Sequence, residues 1–289
     1  MLKIQPPLTL ALALMACLSF TSGAFALNYS NRQGNQATFE TLEETRVSSP
    51  AVASSQGSGE GAFTSHPVLD GYPKGTTYVY RSANLWGGRA LRSNTNILVF
   101  AEKSFPNKDA ALTYLKNLGM TDIIDAAIGS VVLVTPSDPK AGFAAADQKH
   151  YYALQTAMLS LGGSERSGDI VTTWSDGAYF GGFGFLYAIG IDGGVTFFNN
   201  YIASTFDYAS RIAGALLING RMEEVRKVAA VLPAYLVNPT EAVAAGYKAA
   251  NETDAARGDG GTTTCFNQAL PLQQVTVHRE PKPDAAAII

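Results

Sequence analysis

Gly190-Ile191-Asp192-Gly193-Gly194 constrains this chain more than any other stretch. It joins an unbroken apolar run, Phe185-Leu186-Tyr187-Ala188-Ile189, to a helix-like Val195-Thr196-Phe197-Phe198-Asn199-Asn200-Tyr201-Ile202. A continuous apolar run next to glycines reads as a strand buried on both faces. Strand, sharp turn and helix therefore follow one another directly. Glycines permit such a turn, and Asp192 stands at its tip.

The 289 residues, 46% of them hydrophobic, leave room for one α/β domain with a sizeable core and a tail, which excludes disorder of the whole chain. A formal charge of −3 with scattered Lys and Arg offers no footprint for nucleic acid. Met1 to Ala26 has an early lysine, an apolar run from Leu8 to Phe20 and Ala24-Phe25-Ala26 as a small-x-small cleavage site. It reads as a secretory signal peptide, which makes the expected location secreted or periplasmic. Leu14-Met15-Ala16-Cys17 is a weaker lipoprotein signal, since Leu18 and Phe20 follow where polar residues are usual. After cleavage only Cys265 remains, so no intrachain disulfide is expected, and no later apolar run is long enough for stable membrane insertion.

Residues 27–71 are rich in Ser, Gly, Gln, Asn, Thr and Glu and bury too little to offset their ordering entropy. They are expected to be a flexible lead, with the folded domain spanning 72–289. Thr76 to Arg81 alternates aromatic and β-branched residues and suits an early antiparallel strand. Further strands are expected at Ile97–Phe100, Val131–Val134, Phe185–Ile189, Ala215–Ile218, Tyr235–Val237 and Val275–Val277. Helices are expected at Asp109–Leu118, Ala144–Leu161, Val195–Ser204 and Pro239–Ala250, the last capped by Asn238 with Pro239 in its first position. Strands and helices in alternation predict a mainly parallel sheet with helices on both faces.

The succession of Tyr114 to Met120, Val131 to Thr135 with Pro136 after it, the Gly190–Gly194 turn and Tyr208 to Gly214 resembles the secreted esterase and polyhydroxyalkanoate depolymerase branch of the α/β-hydrolases. The resemblance covers about Ile97 to Val237. It implies an α/β-hydrolase fold in which Gly190–Gly194 is the nucleophile elbow, G-x-S-x-G. The chain departs from that pattern in three places. Asp192 stands where the family has serine; Ala101-Glu102-Lys103-Ser104 stands where a His-Gly pair often helps to form the oxyanion hole; and Asn238-Pro239 reaches the usual place of the triad acid. The C-terminal Asp284 to Ile289 resembles a helix that has barely begun where the fold normally closes with a full one, so either part of the C-terminus is lacking or the tail does not pack.

Two residues carry the catalytic reading. Asp192 could act as a carboxylate nucleophile, as in haloalkane dehalogenases and epoxide hydrolases, or could simply cap the helix after it. His278 is the late histidine that a triad would use as base, and it equally suits a solvated strand end. His66, His150 and His278 lack metal-ligand spacing, and neither a metal nor a cofactor is expected. Asn251 to Gly261 superficially resembles a calcium loop but lacks the alternating acids, and reads as a solvated loop. Gly181-Gly182-Phe183-Gly184 precedes its strand, the wrong order for a phosphate cradle, and Gly163-Ser164 lies in an expected polar loop. Tyr78, Tyr80, Trp86, Trp174, Tyr179 and Phe180 either line a platform for a polymer or lipid-like ester or belong to the core. Three functions stay open: hydrolysis of small or polymeric esters, aspartate-nucleophile hydrolysis of carbon–halogen or epoxide bonds, and binding without catalysis.

Overall fold

The computed structural model describes residues 37–42, 72–82, 95–127, 129–159, 163–167, 170–174, 185–281 and 283–289. The leader, Cys17, His66, Trp86, Tyr179, Phe180 and the Gly181–Gly184 run lie outside them. The strands are β1 (Thr38–Thr41), β2 (Thr77–Arg81), β3 (Thr95–Ala101), β4 (Gly129–Val134), β5 (Gly163–Ser167), β6 (Ile170–Trp174) and β7 (Phe185–Ile191). They continue with β8 (Ile212–Ile218), β9 (Ala234–Val237), β10 (Ala255–Asp259), β11 (Thr262–Phe266) and β12 (Gln274–His278). The helices are α1 (Lys108–Asn117), α2 (Met120–Ala127), α3 (Asp147–Leu159), α4 (Gly193–Phe197), α5 (Phe206–Ala209), α6 (Glu241–Ala250) and α7 (Ala285–Ile288). A π-helical stretch, Phe198–Ala203, continues α4.

Ten strands form one sheet in the order β1-β2-β4-β3-β7-β8-β9-β12-β11-β10, and β5 pairs with β6 in a separate hairpin. From β4 through β12 every neighbouring pair is parallel; β1, β2, β10 and β11 join antiparallel at the two edges. Both faces of the central strands are buried, as their unbroken apolar runs require. Alternate residues feed two cores. Leu98, Phe100, Val132, Ala188, Leu217 and Leu236 pack on one face with Tyr151, Phe197, Phe198 and Tyr247. Ile97, Val99, Val131, Leu133, Ile189, Leu216 and Val237 pack on the other with Ala111, Leu115, Met120 and Ile124 of α1 and α2. This is an α/β architecture, a mostly parallel mixed sheet with helices on both faces and a strand–turn–helix unit after a central strand.

Several local expectations are corrected. Thr38–Thr41 pairs antiparallel with β2 and Leu42 is buried, so the folded part takes in an edge strand from the lead expected at 27–71; residues 43–71 lie outside the described ones. Sequence reading missed α2 because it is short and follows α1 after only Leu118 and Gly119, the glycine's positive φ of 70° turning the chain at once. Thr240, not Asn238, caps α6: its hydroxyl accepts from Val243 N at 3.3 Å. Gly163 and Ser164 lie in β5 rather than a loop, and Ala255–Asp259 of the expected solvated loop is an edge strand whose side chains are mostly exposed. Tyr78 and Tyr80 are buried, so they belong to the core and not to a surface platform.

The π-helical stretch is held by buried amides. Tyr247 donates its hydroxyl to Asn199 Oδ1 at 2.8 Å, Asn199 Nδ2 donates to Arg221 O at 3.1 Å, and Asn200 Oδ1 accepts from Glu223 N at 2.9 Å. Those bonds fasten the extended segment after β8 to the helix after β7. Buried polar groups of this kind are tolerated because each has its partner.

Candidate functional site

In open α/β sheets ligands bind beyond the carboxyl ends of the strands, at the point where the winding reverses. Here that point lies between β3 and β7, because β3 leads on to β4 at one side and β7 leads to β8 and β9 at the other. Register places the residues there. Ala101 pairs with Ile191, Ile191 with Ile218, and Ile218 with Val237, so the next residue of each strand, Glu102, Asp192, Asn219 and Asn238, stands in one row along the sheet's end. The backbone repeats one bond along the row: Asp192 N donates to Ile218 O, Asn219 N to Val237 O and Asn238 N to His278 O, each at 2.9 Å. All three residues have positive φ, 51°, 62° and 49°. Asparagine and aspartate adopt that region more readily than other non-glycine residues.

Asp192 has φ 51° and ψ −116°, outside the left-handed helical region. Two glycines let the turn close. A Cβ at Gly194 would sit 2.2 Å from Phe100 O, and one at Gly190 3.0 Å from Val195 Cγ2, so the elbow helix touches the sheet's backbone on both sides of the tip. Strain held by surrounding packing is common where a side chain must be presented. Asp192 occupies the N-cap position of α4, yet its side chain makes no cap bond. Its Oδ1 instead accepts from Asn219 Nδ2 at 2.8 Å. Capping therefore does not explain the aspartate.

The structure does not bring the two sequence-derived site residues together. His278 is the last residue of β12, and β8 and β9 separate β12 from β7, three interstrand spacings or about 14 Å. Its ring is engaged locally: Nδ1 lies 2.9 Å from Thr262 Oγ1 and Nε2 3.5 Å from Glu280 Oε2. Asn238 spends both ends of its amide on the Glu280 backbone, donating to Glu280 O at 2.7 Å and accepting from Glu280 N at 2.8 Å. His150 is half-buried on α3, edge-on to Tyr72, and burial followed by the charge of Lys149 lowers its pKa. Among the described residues no group of three His, Cys, Asp or Glu side chains could share a metal ion.

The residues that do surround the elbow are ones the sequence reading did not select. Glu102 reaches across the start of α4: its Oε1 accepts from Phe143 N at 3.2 Å, and its Oε2 would lie 1.8 Å from a Cβ placed on Gly193. Lys103 N, in the loop after β3, donates to Ala101 O at 2.8 Å. Phe143 is fixed by stacking on Phe197 of α4, ring centroids 4.6 Å apart. Tyr114 approaches from α1, with the Lys103 ammonium 4.7 Å from its ring centroid. Only the departure at Ala101–Ser104 hinted at Glu102; nothing local in sequence marks Asn219 or Tyr114.

Burial, and then the charge of Asp192, push the Tyr114 hydroxyl up to about 12. A raised phenol contributes stability that is present below the unfolded value near 10 and is lost as pH rises toward 12. Asp192→Asn removes the second cause and keeps the first. Its phenolate absorbance titration should therefore show one tyrosine moved down toward the ordinary value by a fraction of a pH unit. An unchanged titration would mean that Tyr114 does not sense the elbow carboxylate.

No family model and no curated protein matches the chain. Among solved structures, it is similar to an acetyl xylan esterase from Aspergillus awamori at 10% identity and a TM-score of 0.43, over 70% of this chain and 86% of that one.

Proposed function

We propose that this chain is a binding protein built on an α/β-hydrolase scaffold, one that receives a small-molecule or polymeric ester without turning it over. The observation that carries the reading is the hydrogen bond from Asn219 to Asp192. An amide can hold a carboxylate in place, but it cannot take a proton from water, and both catalytic alternatives need a base that does. His278, the base expected from sequence, has Thr262 and Glu280 as its partners. A carboxylate that attacked an acyl carbon would moreover give an anhydride, a far less stable intermediate than a serine ester. Glu102 adds a further obstacle, because a negative charge beside Gly193 opposes the negative charge that develops on a carbonyl oxygen there. The signal-like Met1–Ala26 supports a secreted or periplasmic location for this binding.

The test is Asp192→Ser, which writes the esterase elbow Gly-Ile-Ser-Gly-Gly into an otherwise unchanged turn. Loss of a base or of an oxyanion donor each lowers rate by about 10² to 10⁴. The variant is expected to stay unlabelled by a phosphonate probe and inactive on nitrophenyl acetate and butyrate. Labelling of the introduced serine would show an intact acyl-transfer site around a changed nucleophile. Turnover by the wild type that is lost in Asp192→Asn would restore the aspartate-nucleophile reading.

A further inference from the structure

Glu102 sits in a space that its neighbours leave open in an unusual way. Its side chain follows a fully buried strand, β3, and its carboxylate lies between two glycines from distant parts of the chain. A Cβ on Gly142 would come within 2.2 Å of Oε1, and one on Gly193 within 1.8 Å of Oε2. Gly142 has a φ of 75°, a backbone that other residues rarely adopt. The next residue, Phe143, donates its N–H to Oε1. Phe143 cannot drift away from the elbow, because its ring is stacked on Phe197 and set against Phe100. Two missing side chains, one aimed N–H and a rigid aromatic backing together make a recess of carboxylate size. The recess is shallow and at the surface: Glu102 occupies it while remaining solvent-exposed, and its bond to the Phe143 N–H is exposed as well.

An exposed glutamate gains little by folding back onto a surface unless the surface receives it. Ordering its side chain costs rotamer entropy. The recess supplies a charge-assisted hydrogen bond and close contact on both flanks. The same features would receive the carboxylate of another molecule.

We propose that the recess formed by Gly142, the Phe143 N–H and Gly193 is a binding site for a ligand carboxylate, and that Glu102 closes it as a tethered internal ligand in the free protein. The proposal rests on the reading of the elbow as a place of binding rather than of catalysis. A ligand that reaches Asp192 and Asn219 along the row of strand ends enters beside this recess, and an acidic group on it would take the place of Glu102 on the Phe143 N–H. Tethering gives Glu102 a high effective concentration, so weak free acids do not displace it and only a ligand with further contacts does.

The experiment uses the full chain and acetate as probe. Glu102→Ala empties the recess. Acetate is titrated at constant ionic strength against sodium chloride, with acetamide as the neutral isostere, and Tm is followed. A ligand that binds only the folded state raises Tm saturably. The expected result is a saturable rise for Glu102→Ala with acetate, a smaller one or none with acetamide, and none for the wild type with either. Adding Gly193→Ala to Glu102→Ala puts a methyl group where Oε2 lay and should abolish the acetate response. Exchange of the Phe143 amide hydrogen gives a second readout: it should quicken in Glu102→Ala and slow again on adding acetate. An equal response of wild type and Glu102→Ala, equal effects of acetate and acetamide, or a response that survives Gly193→Ala would each overturn the proposal. Failure here leaves the absence of catalysis standing, whereas ester turnover by the wild type would overturn that reading through a different measurement.

Discussion

Gly194→Ala should cost about 3 kcal/mol or more and leave the protein unfolded or nearly so at ambient temperature. The added methyl group would lie 2.2 Å from Phe100 O and 2.6 Å from its carbonyl carbon. A flexible side chain could move aside, but these atoms belong to β3, which is hydrogen-bonded to β4 on one side and β7 on the other. Relief would require the elbow helix to lift off the sheet, uncovering Val195, Phe197 and Phe198, all of them buried. Urea denaturation of Gly194→Ala beside Gly258→Ala checks the mechanism. At Gly258 the nearest atom to an added Cβ is 3.9 Å away, so that substitution should stay within about 0.5 kcal/mol of the wild type. Comparable losses at both positions would mean that glycine's general effects, and not this close approach, set the cost.

Phe100→Ala should destabilise by about 3–5 kcal/mol. Phe100 is wholly buried at the carboxyl end of β3, with Phe143, Tyr151, Phe197 and Phe198 around it at centroid distances of 5.6 to 6.5 Å. These four rings come from the 142–143 loop, from α3 and from the helix after the elbow, so the one side chain joins three parts of the site. Thermal unfolding gives the loss. Phe100→Leu keeps most of the volume and should recover more than half of it. If Phe100→Ala cost no more than an ordinary surface substitution, the ring cluster would not be what holds the elbow helix down.

Much of the frame was legible because it depends on local pattern. Every strand expected between Thr76 and Val277 is present, since a strand buried on both faces must be apolar throughout and therefore announces itself as a run. The turn at Asp192 was legible for a similar reason: Gly190 and Gly194 are needed by close approach of the backbone and bracket its tip at fixed spacing. The less apolar elements were harder to read. β1, β5, β10 and β11 lie outside the central parallel strands, at the sheet's edges or in a separate hairpin, and have no continuous apolar run to betray them. The cap of α6 was displaced by two residues because Asn238, an ideal cap by composition, is drawn instead to the Glu280 backbone, a partner 42 positions away.

The sequence by itself determined that the chain forms a mainly parallel α/β sheet and that Asp192 stands at the tip of a strained turn, because periodicity and glycine placement act over a few residues. What stands around Asp192 was decided by tertiary structure alone. Register between β3, β7 and β8 sets Glu102 and Asn219 beside it, while the strand order keeps His278 three spacings away. Those neighbours are separated by 90 and 27 positions in the chain, and only the sheet's hydrogen-bonded pairing, which no local pattern encodes, brings their side chains to one row.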